Sequence, residues 1–201
     1  MNIILTNNIV ILRFYKSQHC GNMTIKVDNE IILRLLERLD ASEIFHAIDT
    51  QREYLGRWLP FVALTCTLSD TEMFVESVLN APEERFELIF IIRVRGEFAG
   101  LVGFKDTDRL NKKTEIGYWL SERFQKQGIM TRSVEKLCEY AFNRLDINRI
   151  QIKCAVGNHV SSNIPKRLGF RFEGIERDGE LLTDLGFVDL EVYSRLRSDQ
   201  Q

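Results

Sequence analysis

Hydrophobic and polar positions follow two periods after Val27, and the points where one gives way to the other delimit the elements. Glu30 to Leu36 reads as a strand, and Asp40 opens a helix toward Tyr54, with Asp40 as N-cap and Glu43 three residues on. A short helix runs from Ser69 to Leu79 and is ended by Pro82. Phe86, Leu88, Phe90, Ile92 and Val94 then alternate with Glu87, Arg93 and Arg95, the pattern of a half-buried strand. Arg95-Gly96-Glu97 makes a tight turn into a strand from Phe98 to Lys105. Asp106 to Lys112 is a polar loop, and Thr114 to Leu120 a third strand.

The clearest helix spans Gly128 to Phe142. Ile129, Met130, Val134, Leu137, Cys138, Ala141 and Phe142 keep to one face, with Arg132, Glu135, Lys136 and Glu139 opposite. Arg149 to Val156 alternates as a strand. Ser161 or Ser162 caps a short helix from about Ser162 to Leu168, so that Pro165 sits in its first turn, and Gly169 stops it in a left-handed conformation. Two last strands cover Phe170 to Glu176 and Val188 to Leu196. The pattern predicts one mixed α/β domain over residues 23–201, with residues 1–22 an extension outside the fold.

Composition narrows the partners. The 201 residues are 44% hydrophobic and 28% charged, and 27 Lys plus Arg against 29 Asp plus Glu give a formal charge of −2. That balance argues against a protein whose main task is to grip nucleic acid. Apolar runs near the N-terminus are interrupted by Thr6, Asn7 and Asn8, lack a basic flank and fall short of the ~20 residues of a membrane helix, so neither secretion nor a membrane is expected. Cys20, Cys66, Cys138 and Cys154 form no close pair, and His19, His46 and His159 are scattered. The expectation is reduced thiols in a cytoplasmic protein, with no metal.

Several motifs are missing: no P-loop, no dinucleotide fingerprint, no G-x-S-x-G elbow and no H-E-x-x-H. Instead Glu115-Ile116-Gly117-Tyr118-Trp119-Leu120 runs into Gln125-Lys126-Gln127-Gly128-Ile129-Met130, a polar loop where a helix begins. A helix N-terminus offers unpaired N–H groups and the positive end of its dipole, a seat for a pyrophosphate. Lys126 adds charge and Gly128 permits close backbone approach. After the Arg149 strand, Asn158 and Ser161 precede Leu168-Gly169-Phe170 and can hydrogen-bond across a cleft at the strand end.

In this order and spacing, these segments resemble the GNAT superfamily of acyl-CoA-dependent N-acetyltransferases. The likeness is to the branch related to Rim-type ribosomal-protein N-terminal acetyltransferases, and it runs from about Met23 to Arg197. The resemblance implies a central, mostly antiparallel mixed sheet, splayed at the acyl-CoA site, with helices on both faces. It implies acetyl-CoA as co-substrate: the Gln125–Met130 loop cradles the pyrophosphate, and the backbone near Trp119 and Leu120 lines the pantetheine arm. Asn158 and Ser161 touch that arm from the other side. The superfamily loop often ends in a small residue where this chain has Met130, and this branch commonly carries a larger one.

Acetyl transfer needs a neutral amine, an oxyanion donor and a proton for the departing thiolate. An alkylammonium has pKa ~10.4 and an α-amino group ~8, so a base or a dry pocket must help. Glu115 and Glu180 are the candidate bases. Glu115 points to the cleft if Ile116, Tyr118 and Leu120 face the helices, or else forms a cross-strand salt bridge. Glu180 lies in an Arg177–Glu180 turn that overhangs the acceptor site in this branch, or is a solvated loop acid. A backbone N–H near Leu120 meets the oxyanion. Pro165 stands where many members place a proton-donating tyrosine; Ser161 is the nearest polar substitute, directly or through a water, with an unassisted thiolate as the alternative, and Cys154 is read as core packing. Arg52, Tyr54, Arg57 and Trp58 are candidates for the acceptor wall. The resemblance favours a protein N-terminal amine, with polyamine or antibiotic acceptors, a non-catalytic acyl-CoA sensor and an interaction module as alternatives, and is compatible with a homodimer.

Overall fold

The computed structural model describes residues 23–82 and 87–199, so the expected extension over residues 1–22 and the start of the Phe86 strand lie outside the described residues. One eight-stranded sheet has the order β1-β2-β3-β4-β5-β6-β8-β7. Its strands are β1 Thr24–Lys26, β2 Ile31–Leu35, β3 Leu88–Val94, β4 Glu97–Asp108, β5 Lys113–Leu120, β6 Arg149–Ala155, β7 Arg171–Leu182 and β8 Gly186–Leu196. Every pairing is antiparallel except β5 with β6. Among the described residues, four α-helices lie between β2 and β3: α1 Ala41–Asp49, α2 Arg52–Gly56, α3 Phe61–Leu64 and α4 Leu68–Leu79. Helix α5 Ile129–Arg144 joins β5 to β6, and α6 His159–Arg167 follows β6.

Both faces of the central strands are buried. Phe90, Ile92, Val102 and Phe104 pack on one face with Ile129, Val134, Leu137 and Ala141 of α5. Ile91, Leu101 and Trp119 pack on the other with Ile44, Ile48, Leu55 and Val75 of α1, α2 and α4. The expected mixed, mostly antiparallel sheet with helices on both faces is the one found.

Long-range partners move several boundaries. The single helix from Asp40 toward Tyr54 is two helices. Gln51 leaves helical geometry (φ −135°, ψ 29°), its amide donates to Ala47 O at 2.9 Å, and its Oε1 accepts the Glu122 N–H at 2.9 Å. Asp40 stands at the N-cap of α1 as expected, but its side chain caps no N–H of that helix: the buried carboxylate instead accepts the Glu37 N–H (2.7 Å) and pairs with Arg34. Thr67 caps α4 in a box with Asp70, one turn residue earlier than expected. The polar loop after Lys105 shortens because β4 continues to Asp108, where Asp108 pairs with Lys113. Residues Arg177 to Glu180 form a bulge rather than a turn: β7 runs through them to Leu182, Asp178 takes φ 49°, and its N–H donates to Asp189 Oδ1.

Arg149 on β6 reaches across β8 to Glu173 on β7 through two hydrogen bonds, and the Ser194 hydroxyl adds a third at 2.7 Å. The guanidinium outweighs partial burial and holds the Glu173 carboxyl down to about 2. A depressed carboxylate stabilises the fold above its unfolded pKa and loses that contribution as pH falls through the folded value. Acid unfolding between pH ~4.5 and ~2 is therefore expected to be shallower in Glu173→Gln than in wild type when followed by circular dichroism. Superimposable acid curves would contradict this.

Candidate functional site

β5 and β6 pair only over Lys113–Glu115 and Arg149–Gln151. Extending that register sets Tyr118 opposite Cys154, but the strands have parted there. The Ser121 N–H donates to Ala99 O at 2.8 Å. By antiparallel alternation the main-chain groups of Gly117 and Trp119 are then directed at β4, and those of Tyr118 and Leu120 toward the gap. Of the two residues expected along the arm, Leu120 therefore presents its backbone to the gap. Trp119 contributes a buried ring packed against Phe98 at 5.7 Å.

The gap opens into a cleft of about 1580 Å³ that brings most of the expected residues together. Gln125, Lys126, Gly128, Ile129 and Met130 line one end, and Asn158 and Ser161 line the β6 side. Lys126 (φ 60°) and Gly128 (φ 70°) are left-handed, which turns the chain sharply into α5. The first intrahelical bond is Arg132 N–H to Gly128 O, so the N–H groups of Ile129, Met130 and Thr131 have no partner within the helix. Ile129 and Met130 offer only backbone, since their side chains are core. Gln127 is not part of the lining: its amide turns back to Arg123 O at 3.0 Å.

Asn158, rather than Ser161 or Ser162, caps α6, its Oδ1 accepting the Ser161 N–H at 3.2 Å. The helix thus begins at His159, and Pro165 falls in its interior instead of its first turn. Gly169 (φ 71°) ends it as expected. The Ser161 hydroxyl lies 3.3 Å from Cys154 Sγ and 3.2 Å from the Tyr118 hydroxyl. Burial raises both the Cys154 thiol and, strongly, the Tyr118 hydroxyl above their ordinary ranges. Tyr118 was not among the candidates from sequence. Its place in a strand shared with Ile116 and Leu120 signals a core residue, and nothing local marks its hydroxyl.

The two carboxylates differ. Glu115 is 5% exposed; Lys105 Nζ lies 2.8 Å from its Oε1 and the Gln151 amide donates to Oε2 at 2.9 Å. Burial works against the Lys105 charge, but Glu115, with Asp106 and Glu180, more than offsets it and raises its pKa. Glu180 lines the cleft from β7, half-buried, and among the described residues no hydrogen bond or ion pair ties its carboxylate down. On the facing wall, Tyr54 donates to Leu120 O at 3.3 Å and accepts from the Gln125 amide. Arg52 is spent on Asp49, Val62 O and Thr65 O, knitting α2 to α3. Arg57 stacks over Trp58 at 5.3 Å, and Trp58 packs against the buried cluster of Ala155, Leu182 and Leu190.

The profile of the family described as "Acetyltransferase (GNAT) domain" matches residues 30–171. YdaF of Bacillus subtilis (strain 168), named as a candidate ribosomal N-acetyltransferase, is 35% identical over 88% of this chain and 96% of its own length. The ribosomal-protein-serine acetyltransferase of Escherichia coli (strain K12) is 28% identical over 88% and 98%. RimL, a ribosomal L7/L12 alpha-N-protein acetyltransferase solved with coenzyme A, superposes with TM-score 0.82 at 28% identity, over 87% of this chain and 98% of RimL. The microcin C7 self-immunity acetyltransferase MccE, solved with acetyl-CoA and AMP, gives 0.78 at 33%, over 86% and 95%. This chain belongs to the GNAT acetyltransferase family and is an acetyl-CoA-dependent N-acetyltransferase.

Proposed function

We propose that this acetyltransferase moves the acetyl group of acetyl-CoA to the N-terminal amine of a ribosomal protein, by direct attack within a ternary complex. The observation that carries the mechanism is that one cleft holds the unpartnered N–H groups of α5, the Ser161 hydroxyl and an uncommitted carboxylate, Glu180. The acceptor class rests on the names of YdaF and RimL.

The residues then take these roles. The N–H groups of Ile129, Met130 and Thr131, with Lys126 and Gly128, hold the pyrophosphate, and the Gln125 amide holds Tyr54 against the cradle. Leu120 and Asn158 border the pantetheine arm from the two sides of the gap. Glu180 takes a proton from the acceptor ammonium so that the neutral amine attacks, the Leu120 N–H meets the oxyanion, and Ser161 turns its hydroxyl hydrogen from Tyr118 to the departing thiolate as a hydrogen bond. Glu115 is assigned to structure, because Lys105 and Gln151 already occupy its oxygens. In this reading residues 23–201 are the cytoplasmic catalytic domain and residues 1–22 an extension.

The test is a CoA-release assay on the full chain with two acceptors, ribosomal protein L7/L12 bearing a free N-terminal serine and spermidine. The protein acceptor is expected to exceed spermidine in kcat/KM by at least about two orders of magnitude. The reverse order would move the acceptor class to small amines. Acetyl-CoA binding without CoA release from any amine would replace catalysis with sensing.

A further inference from the structure

Pro165 lies in the interior of α6, past its first turn. A proline there removes the N–H that would donate four residues back, in this helix to the carbonyl of Ser161. That carbonyl does not go without a donor. The Tyr118 hydroxyl, reaching from β5 across the gap between β5 and β6, donates to Ser161 O at 3.1 Å. The same hydroxyl accepts from Ser161 Oγ at 3.2 Å. Each polar group of Ser161 is thereby engaged before the co-substrate binds: its N–H by Asn158, its C=O by Tyr118, and its hydroxyl by Tyr118 and Cys154, the hydroxyl hydrogen being the one that turns from Tyr118 to the sulfur during transfer.

We infer that Tyr118 is a positioning residue for the transfer step, and that Pro165 creates its docking point. Tyr118 is a strut across the splayed strands: it fixes the first turn of α6 relative to β5, and with it the distance from the Ser161 hydroxyl to the thioester sulfur. This rests on the role given to Ser161 above and adds a residue and a device to it. The mechanism needs rigidity here because a serine hydroxyl is a weak acid and helps a leaving thiolate only when its geometry is held closely. Tyr118 moves no proton itself. Burial keeps its hydroxyl protonated, and its own hydrogen is committed to the Ser161 carbonyl.

The test uses Tyr118→Phe, Pro165→Ala and the double variant in the full chain, with L7/L12 and spermidine as acceptors. Tyr118→Phe keeps the ring and removes both hydrogen bonds, and is expected to lower kcat about 10–100-fold with the KM for acetyl-CoA within about twofold. Pro165→Ala returns an N–H to the Ser161 carbonyl, so Tyr118→Phe should cost several-fold less in that background. A purely structural role for Tyr118 would give the same cost in both backgrounds, and that result overturns the inference. Amide exchange, measured without an acceptor, reads the strut directly: His159 to Ile164 should exchange faster in Tyr118→Phe and recover in the double variant. Unchanged exchange there sinks the proposal even if activity falls. Should wild type transfer to neither acceptor, the acceptor reading has failed and the exchange result still decides the strut.

Discussion

Replacing Glu180 with Gln is expected to lower kcat by about 10²–10⁴, with acetyl-CoA affinity within about twofold of wild type. Gln keeps the size and polarity of the side chain and removes its ability to take a proton. Glu180 is the one to test first because its carboxylate is uncommitted, whereas Glu115 is clasped by Lys105 and Gln151 on the floor of the sheet. Bond-rich burial of that kind suits a structural carboxylate, since its removal leaves Lys105 without its main partner. The loss in Glu180→Gln should shrink as pH rises above ~8, where an α-amine is already neutral and needs no base. Steady-state rates from pH 6 to 10 for Glu180→Gln and Glu115→Gln, alongside thermal melts, check both halves. A Glu180→Gln variant at wild-type rate beside an inactive, fully folded Glu115→Gln would transfer the role to Glu115.

The second large effect is on binding. Gly128→Asp is expected to weaken acetyl-CoA by more than about a hundredfold while the domain stays folded. Gly128 is the N-cap of α5, and Asp is among the preferred residues at that position, so the helix itself tolerates the change. The left-handed φ of 70° sets some strain against that gain, and Asp is one of the few side chains that visits this region. What the variant does do is place a fixed negative charge on the N–H groups meant for the pyrophosphate, where it both occupies donors and repels phosphate. Gly128→Ala separates the two causes. A Cβ there would meet nothing nearer than Arg132 Nε at 3.9 Å, so Ala carries the strain without the charge and should lose less than about tenfold. Equal losses for Ala and Asp would assign the effect to backbone geometry instead of charge.

What the sequence made legible tracks how local each cause is. The alternation of Phe90, Ile92 and Val94, and the apolar face of α5, place those elements within a residue or two because the pattern itself drives their burial. That the Gln125–Met130 loop, Gln127 excepted, and the pair Asn158 and Ser161 border one cleft was legible because each is carried by a contiguous segment at a strand end. The break between α1 and α2 was not legible, since Gln51 is held by the backbone of Glu122, distant in the chain. The commitment of Glu115 depends on Lys105 and Gln151 from two neighbouring strands, and the turn of Gln127 away from the cleft on a carbonyl of its own loop. Pro165 was visible, but its consequence was not. Only the earlier start of α6 puts it in the helix interior, and only the fold brings Tyr118 to the carbonyl it leaves open.

The central claim is that the parting of β5 and β6 above α5 is the acetyl-CoA site. Calorimetric titration of acetyl-CoA into the wild-type chain and into Gly128→Asp addresses it most directly, because it needs no acceptor. One molecule bound per chain by wild type, with binding lost in Gly128→Asp and largely kept in Gly128→Ala, is the predicted result. Undiminished binding by Gly128→Asp would place the cofactor elsewhere on the molecule, and no binding by wild type would contradict the account at its root.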